Sequence, residues 1–305
     1  MKFGLQDLKH RWQTLVLLMK KVTLPGLEGV SIFEILRLYV QALQQRNIND
    51  RAAAVSFHFF MGIFPSIIFL FTLIPYAPIP DLQQDILDTV AAALPEGVYK
   101  AVKWPLLDIV RNRKAGLLSF TLVVSLWISS NAFHGLLRAF TASVYVSAPP
   151  SFWRQRGQAL GLTLAFFTLI TLFAMLRSVR VTWLTEIGFP ANWQWFWPYA
   201  SGLLAFVLLY GFIQWMLQWG APGFARKSFF SAGATAATLF LILFSKAFSY
   251  YLEHFRSFND VYGALGTIPL FLSWLFLSAL ALLIGFELNV SIGHARSVKG
   301  VQSTF

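Results

Sequence analysis

The sequence has no cysteine, so disulfides, thiolate metal sites and cysteine nucleophiles are excluded. It is also poor in charge. Asp, Glu, Lys and Arg make up 12% of its 305 residues, against about 25% in a soluble domain. A water-soluble fold of this length would have too few polar side chains to cover its surface. That excludes an ordinary cytosolic enzyme and a disordered chain. Missing as well are the phosphate loop G-x-x-x-x-G-K-[ST], the G-x-S-x-G nucleophile elbow and the H-E-x-x-H zinc helix. The five histidines, at 10, 58, 134, 254 and 294, have no ligand spacing among them. No enzyme activity, cofactor or metal is expected. The first 50 residues hold no apolar run long enough for a signal peptide and no small-residue cleavage site, so none is expected.

What is present is apolar and aromatic. Hydrophobic residues make up 57% of the chain and aromatic residues 17%, with 31 Phe and 11 Trp; mean hydropathy is +0.61. This composition predicts an all-α integral membrane protein. About 20 apolar residues cross the hydrocarbon, and six segments qualify: 52–74, 116–140, 158–177, 198–219, 229–250 and 264–288. The predicted organisation is cytoplasmic amphipathic helices over 1–50, a six-span membrane domain over 51–292, and a cytoplasmic tail over 293–305.

The net charge of +11 would suit nucleic acid, but its distribution suits a membrane. Fifteen basic residues fall before span one, in the 2–3 and 4–5 connections and in the tail; eight fall on the other side. By the positive-inside rule both termini are cytoplasmic. The cluster Arg111, Arg113 and Lys114 opposes this count without reversing it. Trp183, Trp193, Trp195 and Trp197 crowd the 3–4 connection like an outer aromatic belt, and Trp153, Trp215 and Trp219 mark the inner one. The expected partners are membrane lipids, including anionic headgroups, and not nucleic acid.

Two stretches outside the spans read as amphipathic helices, Leu5 to Lys21 and residues 31–46. In the second, Ser31 and Glu34 form a capping-box pattern. Ile32, Leu36, Tyr39 and Leu43 line one face, and Glu34, Arg37, Gln41 and Gln45 the other. Such helices either lie on the inner leaflet or pack under the bundle. Residues 75–115 read as two short helices capping the outer side, with Asp81, Asp85 and Asp88 on a solvated face.

The informative residues are polar ones inside the spans, where a charge costs about 2.5–3.5 kcal/mol. Trp127, Asn131, His134 and Arg138 are spaced 4, 3 and 4 apart and form one stripe. Arg51 and His58 share a face of span one; Gln214 lies in span four and Glu287 near the end of span six. All fall in the cytoplasmic half. They line a polar cavity there, or they are satisfied core and snorkelling residues. On either reading Arg51 or Arg138 is expected within ion-pair reach of Glu287. Lys246 reads as a snorkelling residue near the outer end of span five. Pro65 should kink span one, and Gly263 and Gly266 should let helices pack closely at the start of span six.

Three stretches carry a resemblance. Arg51-Ala52-Ala53-Ala54 leads to Phe64-Pro65. Leu126-Trp127 runs through Arg138-Ala139-Phe140 to Phe152-Trp153-Arg154. Tyr262-Gly263-Ala264-Leu265-Gly266 is followed by Trp274-Leu275, Leu277-Ser278-Ala279 and Gly285-Phe286-Glu287-Leu288-Asn289. In order and spacing the chain resembles the YihY/BrkB family of bacterial inner-membrane proteins over about residues 30–292. Phe286 stands where that family more usually has Ala. The resemblance implies six spans and a membrane role. Members have carried the misnomer ribonuclease BN, and others are linked to virulence, to export of lipopolysaccharide precursors or to sodium/proton exchange. The basic residues and Phe-rich walls favour transport of lipids or other anionic amphiphiles, with Arg51 and Arg138 meeting the headgroup. A sodium(potassium)/proton antiporter, for which Glu287 is the sole candidate carboxylate, and a non-transporting assembly or virulence-associated factor are the alternatives. A ribonuclease is not expected.

Overall fold

The computed structural model describes residues 32–45, 47–73, 115–146, 150–178, 196–220, 230–254 and 264–302. Everything in them that is regular is helix: α1 (Ile32–Gln45), α2 (Ile48–Leu73), α3 (Ala115–Ser129), α4 (Asn131–Thr141), α5 (Phe152–Ser178), α6 (Trp197–Gly220), α7 (Ala232–His254) and α8 (Ala264–Gln302). Four described stretches are long and apolar enough to cross a membrane: Phe152–Phe173, Trp197–Gly220, Ala232–Tyr251 and Ile268–Val298. The expected helix at Leu5–Lys21 and the outer connection at 75–115, apart from the first residue of α3, lie outside the described residues, as does Gly263.

The expected segments differ from the helices in instructive ways. The 116–140 run is broken at Ser130 into α3 and α4; Ser130 turns its hydroxyl back on the Trp127 carbonyl, 2.7 Å away, a local bond that competes with the helix ladder. α2 runs through Pro65 without ending. The expected tail is helical as far as Gln302, because Ile292 and Ala295 have a partner: they bury against Ile35 of α1. α1 itself turns Ile35 and Ala42 inward, at 6% and 1% exposure. Leu36, placed by the sequence on the apolar face with Ile32, Tyr39 and Leu43, is exposed with Val40, so the helix carries a second apolar edge that points away from the protein.

The long helices close into a ring. α2 packs on α3, α4 and α8; α8 on α7; α7 on α6; α6 on α5; and α5 on α3 and α4. α4 also touches α6 and α8, so it plugs the ring from within. The plug is tight: Leu136, Leu137 and Phe140 are at most 1% exposed, and Phe140 stacks on Phe286 with ring centroids 4.3 Å apart. α7 and α8 approach more closely than any side chain would allow. A Cβ on Gly233 or Gly285 would collide with the other's carbonyl oxygen, the small-residue packing that membrane helices use. This contact draws α8 close against α7.

Candidate functional site

At the plugged end of the ring the polar residues fall into three separate groups. The first centres on Glu287, which is fully buried. Arg51, at the start of α2, reaches it with Nη1 at 2.7 Å from Oε1, and Nη2 donates to the Ala139 carbonyl at 2.6 Å. Ser143, just beyond α4, donates to Oε2 at 2.7 Å. Both carboxylate oxygens are thus taken by donors from different parts of the chain. Charge-assisted bonds of this length are the strong kind. Of the two arginines expected near Glu287, the ring selects Arg51; Arg138 is exposed. Two phenols outside the spanning helices sense the same carboxylate. Burial first, and then the negative charge of Glu287, push Tyr39 and Tyr145 up from the usual 10.0. Tyr145 also ties α1 down, donating to the Leu38 carbonyl at 3.0 Å and stacking on His294 of α8.

The second group corrects the expected stripe. Trp127 and Asn131 meet Arg156 of α5, which was counted with the 2–3 connection but lies inside the helix at 3% exposure. Its guanidinium sits 3.8 Å from the centroid of Trp127. Nη1 donates to Asn131 Oδ1 at 2.7 Å and Nη2 to the Trp127 carbonyl. That carbonyl is reachable because the ladder is interrupted next door at Ser130. His134 turns edge-on to Phe152, centroids 5.5 Å apart. His58 lies across Gly135, where a Cβ would overlap its ring. Trp127 and Asn131 therefore join α3 and α4 to α5. Spacing alone placed Trp127 and Asn131 on one face. The missing signal was a basic residue five positions into the next apolar run, at matching depth on an antiparallel neighbour.

The third group pins α7. Ser231 precedes its first residue and acts as N-cap, accepting from the Ala234 N–H at 3.2 Å. The Ser231 hydroxyl donates to Gln214 Oε1 and accepts from Asn289 Nδ2 at 3.1 Å. Asn289 Oδ1 accepts from the Gly233 N–H at 2.8 Å. Gln214, read from the sequence as a pathway residue, here orders a helix terminus.

The hollow lies in the other half of the ring. A cavity of about 750 Å³ opens above the α4 plug and draws its walls from α2, α4, α5, α6, α7 and α8. On α7 it spans Leu241 to Tyr250 and on α8 Phe271 to Leu282, beyond the residues that hold Ser231 and Glu287. None of Arg51, His58, Asn131, His134, Arg138, Gln214 or Glu287 lines it. In the plugged half the ion pair, the Arg156 stack and the buried α4 side chains pack among the candidate residues. The walls are apolar. Phe133 meets Phe59, Phe166 and Phe212 edge-to-face, a favoured aromatic geometry, and Phe166 meets Phe212 at a tilt, with centroids 5.3–6.0 Å apart. The polar lining is confined to α7 and α8 and includes Lys246. Among the described residues no group of three His, Asp or Glu could hold a metal.

The family described as virulence factor BrkB matches residues 39–304. A Bacillus subtilis protein named putative ribonuclease-like protein YfkH is 26% identical over 266 residues, 81% of this chain and 90% of its own. UPF0761 membrane proteins of Pseudoalteromonas translucida and Chlorobium limicola are 35% and 36% identical over 97 and 102 residues. Those matches cover 31% and 33% of this chain and only 29% and 22% of the relatives. No solved structure matches the chain. The ribonuclease-like name is a historic misnomer, and the family is not known as one of enzymes. With a match over most of its length and helices apolar enough to span a bilayer, the chain belongs to the virulence factor BrkB family of membrane proteins.

Proposed function

We propose that the protein carries lipids or other anionic amphiphiles across or within the bacterial cytoplasmic membrane. In this reading α2 and the broken α3–α4 pair join the four apolar helices as six spans, with both termini cytoplasmic by the positive-inside count. The plugged half then faces the cytoplasm and the cavity lies in the outer half. The exposed edge of α1, Leu36 and Val40, dips into the inner leaflet.

The observation that carries the proposal is the cavity. Its 750 Å³ falls within the roughly 300–1,000 Å³ of sites that bury most of a small ligand. Its lining is apolar on four helices and mixed on α7 and α8, which supply every polar residue. A packed bundle has no structural use for such a space, since unfilled volume costs dispersion contacts; an acyl chain supplies them. The expectation that Arg51 meets a headgroup is given up, because Glu287 and the Ala139 carbonyl occupy it. The same pair weakens the antiporter alternative. A coupling carboxylate must open to water to exchange cations, and Glu287 is fully buried between Arg51 and Ser143.

The test is reconstitution into liposomes holding a fluorescent phosphatidylglycerol, followed by quenching of the outer leaflet. The proposal expects faster transbilayer movement than in protein-free liposomes, lost in the cavity-filling Ala279→Trp and Leu282→Trp variants that still purify as folded protein. Absence of lipid movement, together with cation-driven proton flux that Glu287→Gln abolishes, would overturn it in favour of the antiporter.

A further inference from the structure

The cavity is not uniformly apolar, and its asymmetry has a direction. The walls from α2, α4, α5 and α6 carry only apolar side chains, Met216 among them. All its polar lining residues come from a seam on α7 and α8: Ser245, Lys246, Ser249, Tyr250 and Ser278, with the Trp274 indole donating to Ser245 Oγ at 3.3 Å. Ser278 Oγ is buried and has no hydrogen-bond partner. Lys246 is the one formal charge on the lining. Among the residues whose side chains are described, the only ion pair is Arg51–Glu287.

Lys246 is exposed, lines the cavity, and stands five residues before the apolar stretch of α7 ends at Tyr251. A cation at the edge of an apolar cavity attracts an anionic group. The cavity therefore combines one cation and a hydroxyl-bearing seam with a deep wall of Phe133, Phe166 and Phe212.

We propose that Lys246 is the headgroup-binding residue of an amphiphile site, taking a single-chain or single-headed lipid whose anionic group, phosphate or carboxylate, sits at the α7–α8 seam and whose tail runs down to the Phe cluster above α4. The proposal rests on the carriage reading of this cavity and adds the ligand's charge and its orientation: head toward the C-terminal end of α7, tail toward the plug.

The experiment uses the full chain in nanodiscs of zwitterionic lipid and three probes with the same oleoyl tail: lysophosphatidic acid, oleate and monoolein. Wild-type protein is expected to bind the anionic probes about tenfold more tightly than monoolein. Lys246→Gln should remove that preference while leaving monoolein within about twofold, and Lys246→Arg should restore it. Whether lysophosphatidic acid or oleate binds better separates a phosphate ligand from a carboxylate one. A diazirine at the tail end should label Phe133, Phe166 or Phe212. Equal binding of all three probes to wild type, an unchanged preference in Lys246→Gln, or tail labelling at Tyr250 would overturn the assignment of Lys246 while leaving amphiphile carriage standing. If no probe binds wild type and Ala279→Trp changes nothing, the carriage reading falls and this inference falls with it.

Discussion

Removing the charge of Glu287 tests the plugged end of the ring. Its side chain is 1% exposed and that of Arg51 11%, so neither charge is rescued by water. Breaking a buried pair by deleting one partner costs about 3–5 kcal/mol, because the other charge stays behind unpaired. Arg51→Met strands the carboxylate, which keeps only the Ser143 bond. Glu287→Leu strands the guanidinium, which keeps the Ala139 carbonyl. If the two losses were independent, the double variant would lose about 6–10 kcal/mol. The account expects otherwise: with both charges gone the site is apolar, and such replacements are often neutral or better. The double variant should be more stable than either single one, with a coupling of about 3 kcal/mol or more. Reversible unfolding in mixed detergent micelles reads this cycle. Single-variant losses below about 1 kcal/mol that simply add would refute the view that this pair clamps α2 to α8.

Three further outcomes follow from other contacts. Gly233→Ala and Gly285→Ala should each destabilise by about 1–3 kcal/mol in the same assay, since the new Cβ meets backbone that cannot step aside, whereas Gly202→Ala, with nothing within 4 Å, should be neutral or slightly stabilising. Arg156→Lys should cost about 2 kcal/mol despite keeping the charge, because a lysine cannot both lie over Trp127 and bridge to Asn131 and the Trp127 carbonyl; an unchanged melting temperature would contradict it. Cysteine labelling in cells should find Pro95→Cys and Asn192→Cys accessible from outside and Pro150→Cys and Pro222→Cys protected, and external labelling at position 222 would reverse the orientation.

The helices were legible because long apolar runs leave little choice of structure. Boundaries near 198–219 and 229–250 came within a few residues of α6 and α7 for that reason. The break at Ser130 was not legible. Nothing in Ser129-Ser130-Asn131 distinguishes a helix interior from a junction until Arg156 arrives to use the Trp127 carbonyl. Glu287 was recognisable as a partner for an arginine, since a buried carboxylate demands one, but the choice of Arg51 depends on where α2 enters the ring. The cavity was hidden for a different reason. Phe59, Phe133, Phe166 and Phe212 are ordinary members of apolar helices in one dimension, and only the closure of six helices around α4 turns them toward a common space. Polar residues drew attention to the end of the ring that the ion pair and the Arg156 stack occupy, while the cavity in the other half is marked by a single lysine.

The central claim is that the outer half of the ring holds an amphiphile. A cryo-electron microscopy map of the full chain, purified into nanodiscs with native lipid, tests it most directly. The account predicts elongated density between the Phe133–Phe166–Phe212 wall and the α7–α8 seam, ending in a compact headgroup within about 3 Å of Lys246 Nζ, the reach of a charge-assisted hydrogen bond. Side chains closed over an empty or collapsed cavity, with Lys246 turned out of it, would contradict the account.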